Sequence, residues 1–148
     1  MIAIGLDHGE ARIGIAASDA LGVLAHPVET VPAQPPAGAL TRIAAIVQQR
    51  KAECLVVGLP IREDGTEGTA AAKVRRFAAS LAAHLPAGFR IEYQDEYGST
   101  KSAAENLRAA GRRTHRHRPV IDQAAATVIL QDWLDGRQTG LEAGEELD

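Results

Sequence analysis

Carboxylates occur at three places in this chain where the surrounding pattern gives them something to do. Asp7 ends the apolar run IAIGLD, with Gly9 and Arg12 a few residues beyond it in GLDHGEARIG (5–14). Asp95 and Glu96 end another such run, FRIEYQDE. Asp122 opens a helical pattern in which Ala126, Ile129 and Trp133 follow at i+4, i+7 and i+11. That spacing puts Asp122 on the apolar side of its helix. A lone buried charge costs several kcal/mol, whereas an acid at a helix N-terminus gains about 0.3–1 kcal/mol, so position alone leaves both readings open. Three converging carboxylates would repel one another, and a hard divalent cation resolves that conflict. Mg²⁺ or Mn²⁺ takes oxygen ligands and keeps waters for substrate phosphates. Two such ions about 3.5–4 Å apart stabilise both the attacking and leaving oxygens of a phosphodiester. Strand alternation does not choose between Asp95 and Glu96.

Other features carry less chemistry. Gly9 leaves room for a ligand, or for a turn at positive φ. GTEGT (65–69) precedes a helix and offers backbone N–H groups to a phosphate. It lacks the GxxxxGK[ST] spacing, which excludes a nucleotide P-loop. Asp64-Gly65 also reads as a turn, with Thr66 or Thr69 as a helix cap. Ser99 and Thr100 present hydroxyls, one of them explained by capping. His115 and His117 lie in an arginine-rich stretch without acids or cysteines, which is a poor zinc site. Cys54 reads as a small buried hydrophobe, and with two Tyr, two Phe and one Trp there is no platform for stacking bases.

The acids must be positioned by a scaffold, and its elements are legible. Residues 2–7 and 12–18 read as strands joined by HGEA in a hairpin. A third strand spans 22–31, where Pro27 favours an edge or a bulge. PAQPPAG is a connector, and 39–51 is a helix with Leu40, Ile43, Ala44 and Val47 on one side. ECLVVGLP (53–60) is a strand covered on both faces. Helix 69–85, strand 89–94, a helix at about 100–110 ending at Gly111, and a last helix from Pro119 to Leu134 complete the order. Three hairpin-linked strands followed by βαβ crossovers predict an α/β fold, a mixed five-stranded sheet flanked by helices.

The 148 residues, 45% hydrophobic, suffice for one domain core. The short apolar runs exclude a membrane span, and MIAIGLD reads as a strand rather than a signal peptide. One cysteine allows no internal disulfide and suits a reducing, cytoplasmic setting. The net charge of −3 gives no global support for nucleic-acid binding, but it is unevenly spread. Residues 136–148 hold one arginine and four acids, whereas RAAGRRTHRHR (108–118) holds five arginines and no acid. Such a stripe attracts a polyanion whatever the average charge.

GLDHGEARIGIAASD (5–19), VVGLPIREDGTEGTAAAKVRRFAASL (56–81), DEYGST (95–100) and VIDQAAATVILQDWL (120–134) resemble, in order, the four signature blocks of the YqgF/RuvX family. The resemblance covers roughly residues 1–136 and implies an RNase H-like fold. It implies a Holliday-junction-resolvase-like nuclease, known in bacteria as the nuclease that finishes the 5′ end of pre-16S rRNA. By the same resemblance Asp7, Glu96 and Asp122 are the catalytic and metal-binding acids, with one or two Mg²⁺ or Mn²⁺ ions. Where the family block reads Asp-Glu-Arg, this chain has Tyr97 after Glu96, and a cation is lost.

The expectation is thus an RNase H-like domain over 1–136 followed by an acidic, disordered tail at 137–148. It acts as a metal-dependent endonuclease on structured RNA, pre-16S rRNA free or within ribosomal particles, with branched DNA as the alternative substrate. Arg12, Arg108, Arg112, Arg113, Arg116 and Arg118 are the expected nucleic-acid contacts, with Lys73, Arg75 and Arg76 as more distant ones. A monomer or weak homodimer without membrane contact is expected. The rivals are a non-catalytic RNA-binding assembly factor and, on a related fold, a sugar or acetate kinase-type phosphotransferase. The latter closes two such domains on ATP, and this chain has room for one.

Overall fold

The computed structural model of the chain describes residues 1–96 and 117–147, with side chains for 1–96 and 120–137. The strands β1 (Ala3–His8), β2 (Arg12–Ser18) and β3 (Ala25–Pro32) come first. Helix α1 (Pro36–Gln49), β4 (Cys54–Pro60), α2 (Thr69–Ala82), β5 (Arg90–Glu96) and α3 (His117–Leu147) follow. They form one five-stranded sheet in the order β3-β2-β1-β4-β5. The β1–β2 and β2–β3 pairs are antiparallel, and β4 lies parallel to both β1 and β5. This is the expected mixed sheet with helices on its faces.

The alternation of β1 explains how the two faces differ. In Ala3-Ile4-Gly5-Leu6-Asp7-His8 the large residues point to one side and the small ones to the other. Ile4 and Leu6 join Ile13, Ile15, Leu55 and Val57 under α1 and α2. On the opposite face Ala3, Ala16, Cys54 and Val56 lie beneath Ala126, Ile129, Leu130 and Trp133 of α3. Small strand residues let α3 come close: a Cβ on Gly5 would stand 2.7 Å from Leu130 Cβ. Cys54 is fully buried there, and burial pushes its thiol up to about 11, as befits an inert hydrophobe.

The β1–β2 hairpin closes where HGEA predicts, with Gly9 N–H donating to the Arg12 carbonyl at 2.9 Å. Gly9 does not take a positive φ, one of the two readings open to it. It is needed because a Cβ would lie 2.7 Å from the Arg12 carbonyl oxygen. Pro27 meets both of its expectations. It lies on the edge strand, at a break in register where Ile15 pairs with Glu29 but Ala16 pairs with Pro27.

Several boundaries differ from the sequence pattern. Helix α1 begins at Pro36, because proline at the first helical position has no N–H to lose. The N-cap of α2 is Gly68, not a threonine. The Thr66 hydroxyl donates instead to Asp64 Oδ1 at 2.6 Å, within the Asp64-Gly65 turn where Gly65 has φ +84°. Helix α3 starts before Pro119 and continues through Gly136, whose cost in a helix is only about 1 kcal/mol. The helix expected at about 100–110 lies outside the described residues. Among those described, no helix is long and apolar enough to cross a membrane.

Candidate active site

Asp7 stands on the α3 side of the sheet, near the C-terminal end of β1. Its partner across the hairpin is Gly14. On the other side Leu6 pairs with Val57, so Asp7 is followed in register by Gly58 of β4. Each glycine makes room for one further acid. At Gly14 the first turn of α3 comes down onto the strand, and a Cβ there would run into the backbone carbonyl of Asp122. At Gly58 a Cβ would stand 2.9 Å from both Cδ and Oε2 of Glu96, the last residue of β5. Asp122 and Glu96 therefore approach Asp7 from its two flanks, across residues without side chains. Asp95, next to Glu96, is exposed.

The electrostatics match this placement. Burial, then the charges of Glu96 and Asp122, push the Asp7 carboxyl up from 3.8 to about 7. Among the described residues Asp7 has no ion-pair partner. Asp122 does have one: Arg12 Nε donates to its Oδ2 at 2.7 Å, in a partly buried pair. Arg12 starts β2, so the hairpin that carries Asp7 also carries the cation that holds Asp122. His8 points to the opposite face, its ring 4.4 Å from that of Phe77, and burial lowers its pKa.

Three carboxylates, one with its ionisation held back by burial and then by its neighbours' charges, are the donor chemistry that suits a hard cation. They are not drawn together at ligand spacing: among the described residues no three His, Cys, Asp or Glu side chains are grouped to hold an ion. The Asp122 carboxylate is turned onto Arg12 instead.

Of the expected nucleic-acid contacts, Arg12 is at the site. Arg118 lies in the first turn of α3, and Arg108, Arg112, Arg113 and Arg116 lie outside the described residues, as does Tyr97. Arg75 is held elsewhere, by a two-pronged pair with Glu67 and by the face of Tyr93 at 4.6 Å. The sequence reading missed Gly14 and Gly58. Their signal was present, since a glycine inside a strand pattern marks a close approach.

A mixed five-stranded sheet in the order β3-β2-β1-β4-β5, with helices on its faces, is an RNase H-like fold of the kind that resolvases share. Solved structures with that fold match over more than nine-tenths of the chain. RuvC of Thermus thermophilus in complex with a Holliday junction substrate matches with a TM-score of 0.58 at 18% identity, over 93% of this chain and 96% of that one. The fowlpox virus resolvase in complex with Holliday junction DNA matches with a TM-score of 0.58 at 11% identity, over 92% of this chain and 98% of that one. The chain belongs to the RuvX family, described as Holliday junction resolvase, whose profile matches residues 1–136. Curated relatives carry a provisional name as pre-16S rRNA nucleases. One from Streptomyces coelicolor is 43% identical over 98% of this chain and 87% of its own length. One from a Nocardioides species is 47% identical over 97% and 94%, and one from Chloroflexus aggregans is 42% identical over 91% and 94%.

Proposed function

We propose that this member of a nuclease family is a metal-dependent endonuclease that hydrolyses phosphodiester bonds of structured RNA, maturing the 5′ end of pre-16S rRNA in the cytoplasm. One observation carries the reading: a half-buried Asp7 whose carboxyl is pushed up to about 7, with Glu96 and Asp122 closing on it across two glycines. The relatives' names supply the substrate, and branched DNA is the alternative that the resolvase class supplies.

Asp7, Glu96 and Asp122 are the residues that would hold one or two Mg²⁺ or Mn²⁺ ions. Such an ion, when bound, supplies a Lewis acid for the phosphoryl oxygens and lowers the pKa of an attacking water. The chain's own residues do the rest. The backbone of Asp7 is fixed by its pairing with Gly14 across the hairpin. Glu96 is at the strand end, where a phosphodiester can reach it. Arg12, at the rim, neutralises Asp122 in the free protein and offers its guanidinium to a phosphate oxygen in the complex. The arginines of 108–118 position the strand through its backbone without reading sequence.

A second reading has its own observation. The Arg12–Asp122 pair satisfies one of the three acids without any metal, as a non-catalytic RNA-binding assembly factor would require. One experiment separates the two. Precursor 16S particles and four-way DNA junctions are incubated with Mg²⁺, Mn²⁺ or chelator, using the native chain and Asp7→Asn. The nuclease reading expects metal-dependent cleavage lost in Asp7→Asn with affinity retained. Absence of cleavage of either substrate in either metal, with the fold verified, overturns it.

A further inference from the structure

On the sheet face opposite the acids, a cavity of about 500 Å³ opens beside the β1–β2 turn, lined by His8, Glu10, Gln34, Lys73, Arg76 and Phe77 among others. Its size is within the range of small-ligand sites, about 300–1,000 Å³. Lys73 and Arg76 are one helical turn apart on α2 and both enter its wall. Both are exposed, Lys73 in a 2.6 Å pair with Glu10 and Arg76 with no ion pair among the described residues. Below them the rings of His8 and Phe77 pack together, and the Gln34 amide stands at the rim. His8 directly follows Asp7, so the cavity and the acid cluster lie on opposite faces of one strand end, both beside the β1–β2 turn.

That juxtaposition has a consequence for a polyanion. The acid cluster carries three carboxylates against one arginine and repels a phosphate backbone until it is neutralised. A strand lying at Asp7 needs cations where it leaves the site. Arg12 supplies one on the acid side of the turn, and Lys73 with Arg76 supply two on the far side. We propose that this cavity is a second binding site, which takes the phosphates of a single-stranded nucleic-acid segment continuing from the scissile position over the β1–β2 turn. The inference rests on the nucleic-acid reading of the acid cluster. Glu10 then acts as an internal competitor for Lys73, since the two pair in the absence of substrate.

The test measures anisotropy of a short fluorescein-labelled single-stranded RNA in chelator, where binding is read without cleavage. The double variant Lys73→Gln/Arg76→Gln should bind roughly tenfold more weakly at moderate salt, with the dependence of log K on log salt flattened by about 1.4, at 0.7 per lost phosphate contact. Glu10→Gln should bind more tightly, an effect that a merely structural role for the pair would not produce. Arg90→Gln, at the end of β5 opposite Glu96, should bind as the native chain does. Inorganic phosphate and adenosine monophosphate are added as competitors, and for a strand site both displace the RNA only at millimolar levels. Unchanged affinity and slope in the double variant, weaker binding by Glu10→Gln, or displacement by micromolar adenosine monophosphate would each overturn the proposal. Cleavage that persists with Asp7 intact alongside any of these results leaves the nuclease reading standing. Altered binding in a chain that cuts nothing sinks that reading instead.

Discussion

Asp7 is costly to the free protein in a way that can be measured. Its folded value, about 7, lies above the unfolded 3.8, so between these pH values the folded chain holds more protons than the unfolded one. Stability therefore falls as pH rises through that window, and the loss is complete above it. Asp7→Asn removes the loss. In chelator its Tm should exceed that of the native chain at pH 8 by about 3 °C or more, since 1 kcal/mol moves a domain of this size by about 2–4 °C. The gap should close near pH 4, where the folded Asp7 is protonated and the unfolded one is nearly half so. An equal gap at both pH values would count against burial and like charge as its cause. Arg12 makes the complementary prediction. Arg12→Gln leaves Asp122 without its cation and should cost about 1 kcal/mol in chelator, the range of a partly exposed pair. Mg²⁺ titrated into both proteins should raise the Tm of the variant more than that of the native chain, because the ion no longer competes with the guanidinium. A smaller rise in the variant would mean that Arg12 helps to recruit the ion.

At the scale of elements, the two glycines flanking Asp7 do different work and should fail differently. Gly14 meets the backbone of Asp122, which has nowhere to go without moving the start of α3. Gly14→Ala should cost about 3 kcal/mol or more and show as a large drop in Tm. Gly58 meets only the tip of Ile129, 2.5 Å from the added methyl, and the Glu96 carboxyl. Both can shift, so Gly58→Ala should cost about 1 kcal/mol while cutting cleavage tenfold or more, because Glu96 is what moves. Full cleavage by Gly58→Ala would show that the place of Glu96 over the strand is immaterial. The helix has its own anchor in Leu130, fully buried against the small-residue face. Leu130→Ala should lose about 2–5 kcal/mol, readable by denaturant titration.

Across the whole molecule, the parts legible in the sequence were those set by local pattern. The continuous run of β4, the hairpin at HGEA and the inward face of Asp122 follow from periods of two and 3.6. So does the burial of Ala126, Ile129 and Trp133 at 0%, 1% and 8% exposure. What escaped was set by neighbours distant in sequence. Gly14 and Gly58 look like ordinary strand glycines until α3 and β5 are placed beside them. Strand alternation did not choose between Asp95 and Glu96; the resemblance named Glu96, and β5 pairs it with Pro60 of β4. Helix α1 begins inside a stretch that reads as a connector, since proline serves a helix start as well as a loop. Asp7, Glu96 and Asp122 were each visible as acids at element ends. The resemblance to a family joined them, where spacing alone did not.

The connectivity also sets an order in time. Asp7 and Arg12 are made within one hairpin, but Asp122 lies 110 residues beyond Arg12 and belongs to the last helix. A chain emerging from the ribosome can build its sheet, and the helices on one face of it, while the other face waits bare. Ala3, Ala16, Cys54 and Val56 stay uncovered until α3 docks, and docking is the same event that brings the third acid to the other two. Deletion of residues 117–148 should therefore give a species that aggregates and cuts nothing, checked by light scattering and by the cleavage assay. The incomplete chain has only two of the three acids, and the finished one acquires the third in the step that makes the fold whole.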